Sequence, residues 1–393
     1  MSAEVIVAGH ICLDIIPAFA VEQLTLSPGC LVTAGPATLA SGGVVSNTGL
    51  ILSLLGTATA LVGKIGDDAF GAALKQVLES TAPGTSNHMI QCPSGSTSYS
   101  IVLSAPQTDR MFIHSPGCNA TFEADDVSDA LLDSARLLHF GYPPLMRQMY
   151  INDGNELVKL FSRAKRAGIT TSLDMSMPEG AAAPNTTNWS AILARVLPHV
   201  DIFTPSVEEM LLLLNYKLTP NGDPTDLVTI AALADQLLLF GARIIVLKMG
   251  QYGLYLRTAD SLTIAKIGHD SLVNSETWGS RELFTSCFTV DPVGTTGSGD
   301  ATVAGFLHKF LAGGSPQECV TAGIAVGAFS VEGPDAISGI RPWTQIEDRV
   351  RAGWPKRDSV INMYRWTWDQ SDRVWYGPRD TTTGQFDRQE RMR

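Results

Sequence analysis

Short runs rich in apolar and β-branched residues, without polar alternation, recur along the chain: "EVIVAGH" (4–10), "TATALVGKIG" (57–66), "ITTSLD" (169–174), "VDIFTP" (200–205) and "ARIIVLKMG" (242–250). Between them lie segments of helical period. "TGLILSLLG" predicts a helix ending at Gly56, "ELVKLFSRAKRAG" an amphipathic helix stopped by Gly168, and "VTIAALADQLLLFG" a helix closed by Gly241. Strands buried on both faces, each preceded or followed by a helix, predict an α/β fold: a mostly parallel sheet with helices on both sides. Two segments, roughly residues 12–40 and 95–114, alternate polar and apolar residues between turn residues. They predict a small antiparallel β lid beside the main sheet. The last fifty residues differ again. Five of the seven tryptophans lie there (Trp343, Trp354, Trp366, Trp368, Trp375), and "YRWTWDQSDRVWYG" predicts a hairpin turning at Gln370 and Ser371. The final "RDTTTGQFDRQERMR" is polar and reads as a mobile end.

Composition narrows this. The chain has 393 residues, 45% hydrophobic and 17% charged, with a net charge of −11. That balance argues against nucleic acid or an anionic membrane as the partner, but not against a phosphate ligand, which backbone amides can hold. No apolar run approaches the ~20 residues that span a bilayer. The N-terminus reads as a first strand, not a signal peptide. The six cysteines have no metal-ligand spacing and read as reduced thiols, with the cytoplasm as the expected compartment.

The chemistry concentrates in two glycine clusters. In "DPVGTTGSGDATVAGF" (291–306) a glycine loop runs into a helix beginning near Gly299 or Asp300. Unpaired amides and the helix dipole favour an anion at Gly297, Ser298 and Gly299. Asp300 is either an acid favoured by that dipole or a general base beside an anion hole, the pairing that phosphoryl transfer to a hydroxyl needs. The loop lacks the GK[ST] of a P-loop. The second cluster, "ASGGVVSNTG", sets Gly43 and Asn47 at another helix start, while Asp14 lies just past the first strand, on the edge where open α/β sheets bind ligands. Asp14 and Asn47, short, polar and next to glycine, suit sugar hydroxyls; taken alone, Asp14 also reads as a turn residue and Asn47 as a helix cap.

"GGVVSNTGLILSLLGTATALVGKIGDDAFG" and "GTTGSGDATVAGF" resemble the two signatures of the ribokinase-like (PfkB) carbohydrate kinases. Between them "SPGCNA", "TSLDMS", "DIFTPSVEEMLLL" and "IIVLKMGQYGLYL" follow in the family's order. The resemblance spans roughly residues 4–340. It implies a three-layer α/β/α sandwich, a kinase domain over 1–342 and an extension over 343–393. It further implies ATP-dependent phosphorylation of a small sugar with Asp300 as base and the amides of Gly297, Ser298 and Gly299 as anion hole. Asp14, Gly43 and Asn47 would hold the sugar. Lys248, Gly250 and Gly253 would flank the nucleotide with Thr295 and Thr296 near its phosphates, and Glu209 would organise Mg²⁺, largely through water. The lid would exclude water and could join two copies as a homodimer.

Two departures stand out. Ser206 replaces the Asn of the magnesium motif. Gly294 replaces the acid beside which family members build a monovalent-cation site; the nearest acid is Asp291. A phosphosugar would need cations in the sugar pocket. Lys64 and Arg110 are the first candidates, each more simply read as structural or surface charge, so a neutral sugar is favoured. A nucleoside kinase of the same fold is the alternative within enzymes, with Tyr99, Phe112 or Tyr142 to stack on the base. From another class, the alternative is a sugar- or nucleotide-binding regulator without catalysis.

Overall fold

The computed structural model describes residues 3–19, 27–29, 31–103, 111–178, 180–216, 226–268, 272–358 and 361–381. Its sixteen strands are β1 (Val5–Gly9), β2 (Cys12–Pro17), β3 (Ala37–Gly42), β4 (Thr59–Val62), β5 (Lys64–Gly66), β6 (Ile90–Cys92), β7 (Tyr99–Leu103), β8 (Met111–Ser115), β9 (Leu137–Gly141), β10 (Thr170–Asp174), β11 (Ile202–Phe203), β12 (Ile244–Lys248), β13 (Leu254–Thr258), β14 (Glu282–Thr285), β15 (Thr367–Asp369) and β16 (Val374–Tyr376). Ten of them form one sheet in the order β15-β16-β14-β13-β12-β11-β10-β9-β1-β4. From β4 to β12 every pairing is parallel. From β12 to β15 every pairing is antiparallel.

Alternate residues of single strands feed two separate cores. Val5 and Val7 face one apolar layer, which contains Leu50, Ala304, Phe306 and Val326; Ile6 and Ala8 face the other, with Leu160, Ile192 and Leu233. β12 does the same, sending Ile244 and Val246 to the first layer and Ile245 and Leu247 to the second. Strands covered on both sides have no solvent face, so they do not alternate polar and apolar residues in the sequence; the polar side chains of β10, Thr170 to Ser172 and Asp174, are buried all the same. The helices Val44–Leu54, Ser298–Leu311 and Pro316–Val331 cover one face; Asn155–Arg166, Trp189–Val196 and Leu227–Leu239 cover the other. The result is the expected three-layer sandwich.

The lid is a four-stranded sheet in the order β3-β2-β7-β8. Its outer pairs are antiparallel as predicted, but the central pair, β2 with β7, is parallel. The two segments enter the lid from separate parts of the chain, so nothing forces a hairpin between them. The run "TATALVGKIG" is two strands, not one: it breaks at Gly63, and β5 leaves the main sheet to pair with β6. The predicted tail hairpin is present as β15 and β16, and β16 adds to the main sheet through β14. Arg110, parts of both lid segments and the polar end from 382 lie outside the described residues.

Candidate active site

The carboxyl ends of the parallel strands line up. Gly9 of β1, Gly141 of β9 and Asp174 of β10 share one row across the sheet. Two helix N-termini converge on this edge. The helix Ser298–Leu311 starts after Gly297, whose φ of 73° is left-handed; a side chain there would also collide with Ala336, 2.3 Å from where its Cβ would stand. The helix Val44–Leu54 starts after Gly43, with φ 86° and the His10 imidazole 2.6 Å from a would-be Cβ. Both glycine clusters of the sequence are therefore tight turns that deliver a helix N-terminus to one place.

Asp300 sits in the first turn of its helix and is buried. Asn47 Nδ2 donates to its Oδ2 at 2.8 Å, and the Tyr142 hydroxyl lies 2.9 and 2.8 Å from its two oxygens. Burial raises its pKa above the ordinary carboxylate range, against the opposing pull of Asn47, Lys248 and Tyr142. Asn47 Oδ1 is buried with no hydrogen-bond partner among the described residues, an acceptor able to take an O–H from a ligand. Tyr142 holds a left-handed backbone (φ 66°, ψ 40°), which is strained for an aromatic residue and typical of a functional site.

Lys248, at the end of β12, pairs with Asp174 at 2.6 Å, and both are nearly fully buried. Burial raises Asp174, and Lys248 counters it; the ammonium itself is held charged by Asp174 and Glu209 against its own burial. A methyl placed on Gly299 would stand 3.8 Å from Lys248 Nζ, so the amine overhangs the glycine loop. Behind this loop opens a cavity of about 530 Å³, within the range of small-molecule sites. Lys248, Gly250, Gly253, Thr295, Ser298 and Gly299 line it, with apolar walls from Leu254, Phe288, Ile324 and Val331. Thr296 is half-buried but is not among the lining residues.

On the lid side, Asp14 of β2 is bonded by Cys12 Sγ at 3.3 Å, and burial pushes its pKa up to about 6. His10 is buried against the Gly43 turn and the Tyr142 ring, its Nε2 3.5 Å from that of His114 and its pKa pushed down to about 3 by burial and His114. Neither His10 nor Asp174 was assigned a role from sequence, and Tyr142, a candidate for stacking on a base, instead bonds the carboxylate of Asp300.

Ser206 and Glu209 cap one helix reciprocally: Glu209 N donates to Ser206 Oγ and Ser206 N to Glu209 Oε2. "SVEE" carries this capping-box signal openly. Glu209 nevertheless faces the site, since its charge acts on Asp174, Lys248, Tyr142 and Asp300. Gly294 leaves no room for the missing acid, because a Cβ there would meet the Pro334 carbonyl at 2.8 Å.

Residues 2–343 match the model of the pfkB family carbohydrate kinases. The chain belongs to that family. Among its relatives, an uncharacterized sugar kinase of Archaeoglobus fulgidus is 25% identical over 294 residues, covering 74% of this chain and 97% of that protein. A probable fructokinase-3 of Arabidopsis thaliana is 26% identical over 306 residues, covering 77% of this chain and 76% of the other. In fold, pfkB architecture is matched by the structure of Arabidopsis thaliana ribokinase complexed with ribose and ATP, with a TM-score of 0.67 at 19% identity over 88% of this chain and 98% of that one. A putative ribokinase II from E. coli in complex with ATP and Mg²⁺ matches with a TM-score of 0.63 at 19% identity, over 89% and 99%. The family match ends where the tryptophan-rich tail begins.

Proposed function

We propose that this carbohydrate kinase transfers the γ-phosphoryl group of ATP to a hydroxyl of a neutral sugar, with Asp300 as general base. The observation that carries this reading is the buried Asp300 carboxylate at a helix N-terminus, between the lid-side polar cluster and the cavity behind Gly297–Gly299. An acceptor hydroxyl placed at Asp300 gives its proton to the carboxylate as its oxygen attacks phosphorus. Asn47 and Tyr142 hold that carboxylate in one orientation. The amides of Gly297 and Gly299 and the Lys248 ammonium would meet the charge that develops on the transferred group, and the Ser298 amide, which here donates to the Thr295 carbonyl at 3.3 Å, would have to turn from it to join them. Gly250, Gly253 and Thr295 complete the nucleotide side, and Thr296, next to Thr295 but outside the lining, would stand near the phosphates.

Mg²⁺ fits this donor set. It keeps several waters and takes one or two carboxylates plus substrate phosphates, so a single half-buried Glu209 suffices. When bound it would neutralise phosphate charge. Among the described residues no group of three metal-ligating side chains is preassembled, which suits an ion brought with the nucleotide.

A neutral sugar is supported by Lys64, whose ammonium is already held by Asp126 at 2.8 Å and by the Thr121 carbonyl. Asp14, Gly43 and Asn47 would grip its hydroxyls. The relatives named fructokinase support a ketohexose among the sugars to try first. The exposed lid residues Leu39, Met111, Phe112 and Ile113 support a homodimer through the lid. The free thiols of Cys12, Cys92, Cys118, Cys287 and Cys319 support a reducing compartment such as the cytoplasm. The test is ADP release from Mg-ATP over a panel of neutral sugars, sugar phosphates and nucleosides. Turnover is expected with a neutral sugar; ADP release only with a nucleoside or a sugar phosphate, or with none of the panel, contradicts the reading.

A further inference from the structure

The tail beyond the family match does not pack apart from the cavity. Its segment Trp354–Arg357 runs antiparallel to Cys287–Thr289, the outer wall of the nucleotide side. Thr289 N donates to the Pro355 carbonyl and Arg357 N to the Cys287 carbonyl, both at 2.8 Å, and Phe288 pairs with Lys356. Side chains fasten the strap. The Trp354 indole stacks on Phe288 at 4.5 Å and donates to the Thr289 carbonyl at 2.9 Å. Lys356 Nζ is bonded to Thr285 Oγ1 and the Arg373 carbonyl, both at 2.5 Å. Arg349 covers the other side of Trp354, 3.6 Å from the ring centre, and is itself held by Glu332.

The strap contributes one residue to the cavity lining, Arg357. Among the described residues the lining contains two charged side chains, Lys248 and Arg357, and no carboxylate. Lys248 is already neutralised by Asp174. Arg357 is exposed, and among the described residues no acid pairs with it. Its charge reaches the wall, where it acts on the Cys287 thiol, and that thiol donates to the Gly250 carbonyl at 3.4 Å. A guanidinium with no acid partner among the described residues, on a wall whose other polar groups are neutral apart from the paired Lys248, suits an anionic ligand in a chain of net charge −11.

We propose that the strap Trp354–Arg357 is a built part of the nucleotide site and that Arg357 binds a phosphate group of the nucleotide. The inference rests on the kinase reading and adds to it a residue from outside the family's matched region. It explains why so many aromatic and cationic contacts anchor a short tail segment against that one wall.

Calorimetric titration of the full chain with Mg-ADP and with adenosine tests it. Arg357→Ala should weaken ADP binding by about 5- to 20-fold, the scale of one charge-assisted contact at a half-open site, and leave adenosine affinity, sugar KM and thermal stability unchanged. Arg357→Lys should restore part of the ADP affinity. Wild-type ADP affinity in Arg357→Ala overturns the proposal, and so does an equal loss for adenosine, which would place the guanidinium on the base. If the wild-type protein itself binds no ADP, the kinase reading fails and takes the inference with it; ADP binding unaltered by the substitution leaves the kinase reading standing and removes Arg357 alone.

Discussion

Asp300 shows how burial and hydrogen bonding compete at one carboxylate. Burial raises its pKa, and Asn47, Lys248 and Tyr142 pull it back toward the ionised form that the proposed base would need. Because its folded pKa lies above the unfolded value, its contribution to stability is complete below the unfolded pKa. That contribution is lost as pH rises through the folded one. Ionising the buried Asp300 therefore carries a cost, which the proposed role as general base would account for. The acid limb of kcat/KM should lie above the ordinary carboxylate value of about 4. Tyr142→Phe removes the hydroxyl that lies against both oxygens, so the limb should move to still higher pH while kcat falls about tenfold. A pH–rate profile superimposable on wild type would show that Tyr142 does not act on the base. The local glycine pattern made Asp300 and its loop legible in the sequence. Tyr142 was not, since it lies 158 positions away and nothing in "HFGYPP" marks a contact with a carboxylate.

At the scale of elements, the ion pair of Asp174 and Lys248 joins the ends of β10 and β12, two strands separated in the sheet by β11. Lys248→Met would leave Asp174 buried without its partner and should destabilise the protein by about 3–5 kcal/mol in urea unfolding. Adding Asp174→Asn should recover a good part of that loss; a loss below about 1 kcal/mol in the single variant would mean that the pair does not hold this edge. Strands and helices were read well because a doubly covered sheet writes unbroken apolar runs and helical stripes into the chain. The parallel pairing of β2 with β7 was not, because register between distant segments leaves no periodic signal. Ser206 illustrates a legible signal given another meaning: "SVEE" is a capping box first, whatever Glu209 does for a metal. The tail hairpin was visible from its turn residues, but its place at the sheet edge depends on β14, some ninety positions earlier.

Across the whole molecule, a small four-stranded sheet, two helix N-termini and a strapped cavity surround one carboxylate. The lid carries Leu39 on one edge strand and Met111, Phe112 and Ile113 on the other, all exposed. Light scattering on the purified protein should give twice the chain mass, and charges introduced together at Phe112 and Ile113 should return the monomer. A wild-type monomer across micromolar concentrations would leave the lid as a cover alone. The most direct test of the central claim is steady-state ADP release by Asp300→Asn, with the sugar that wild type turns over. The account predicts kcat lower by about 10²- to 10⁴-fold with a melting temperature no lower than wild type. Near wild-type turnover in that variant would contradict it.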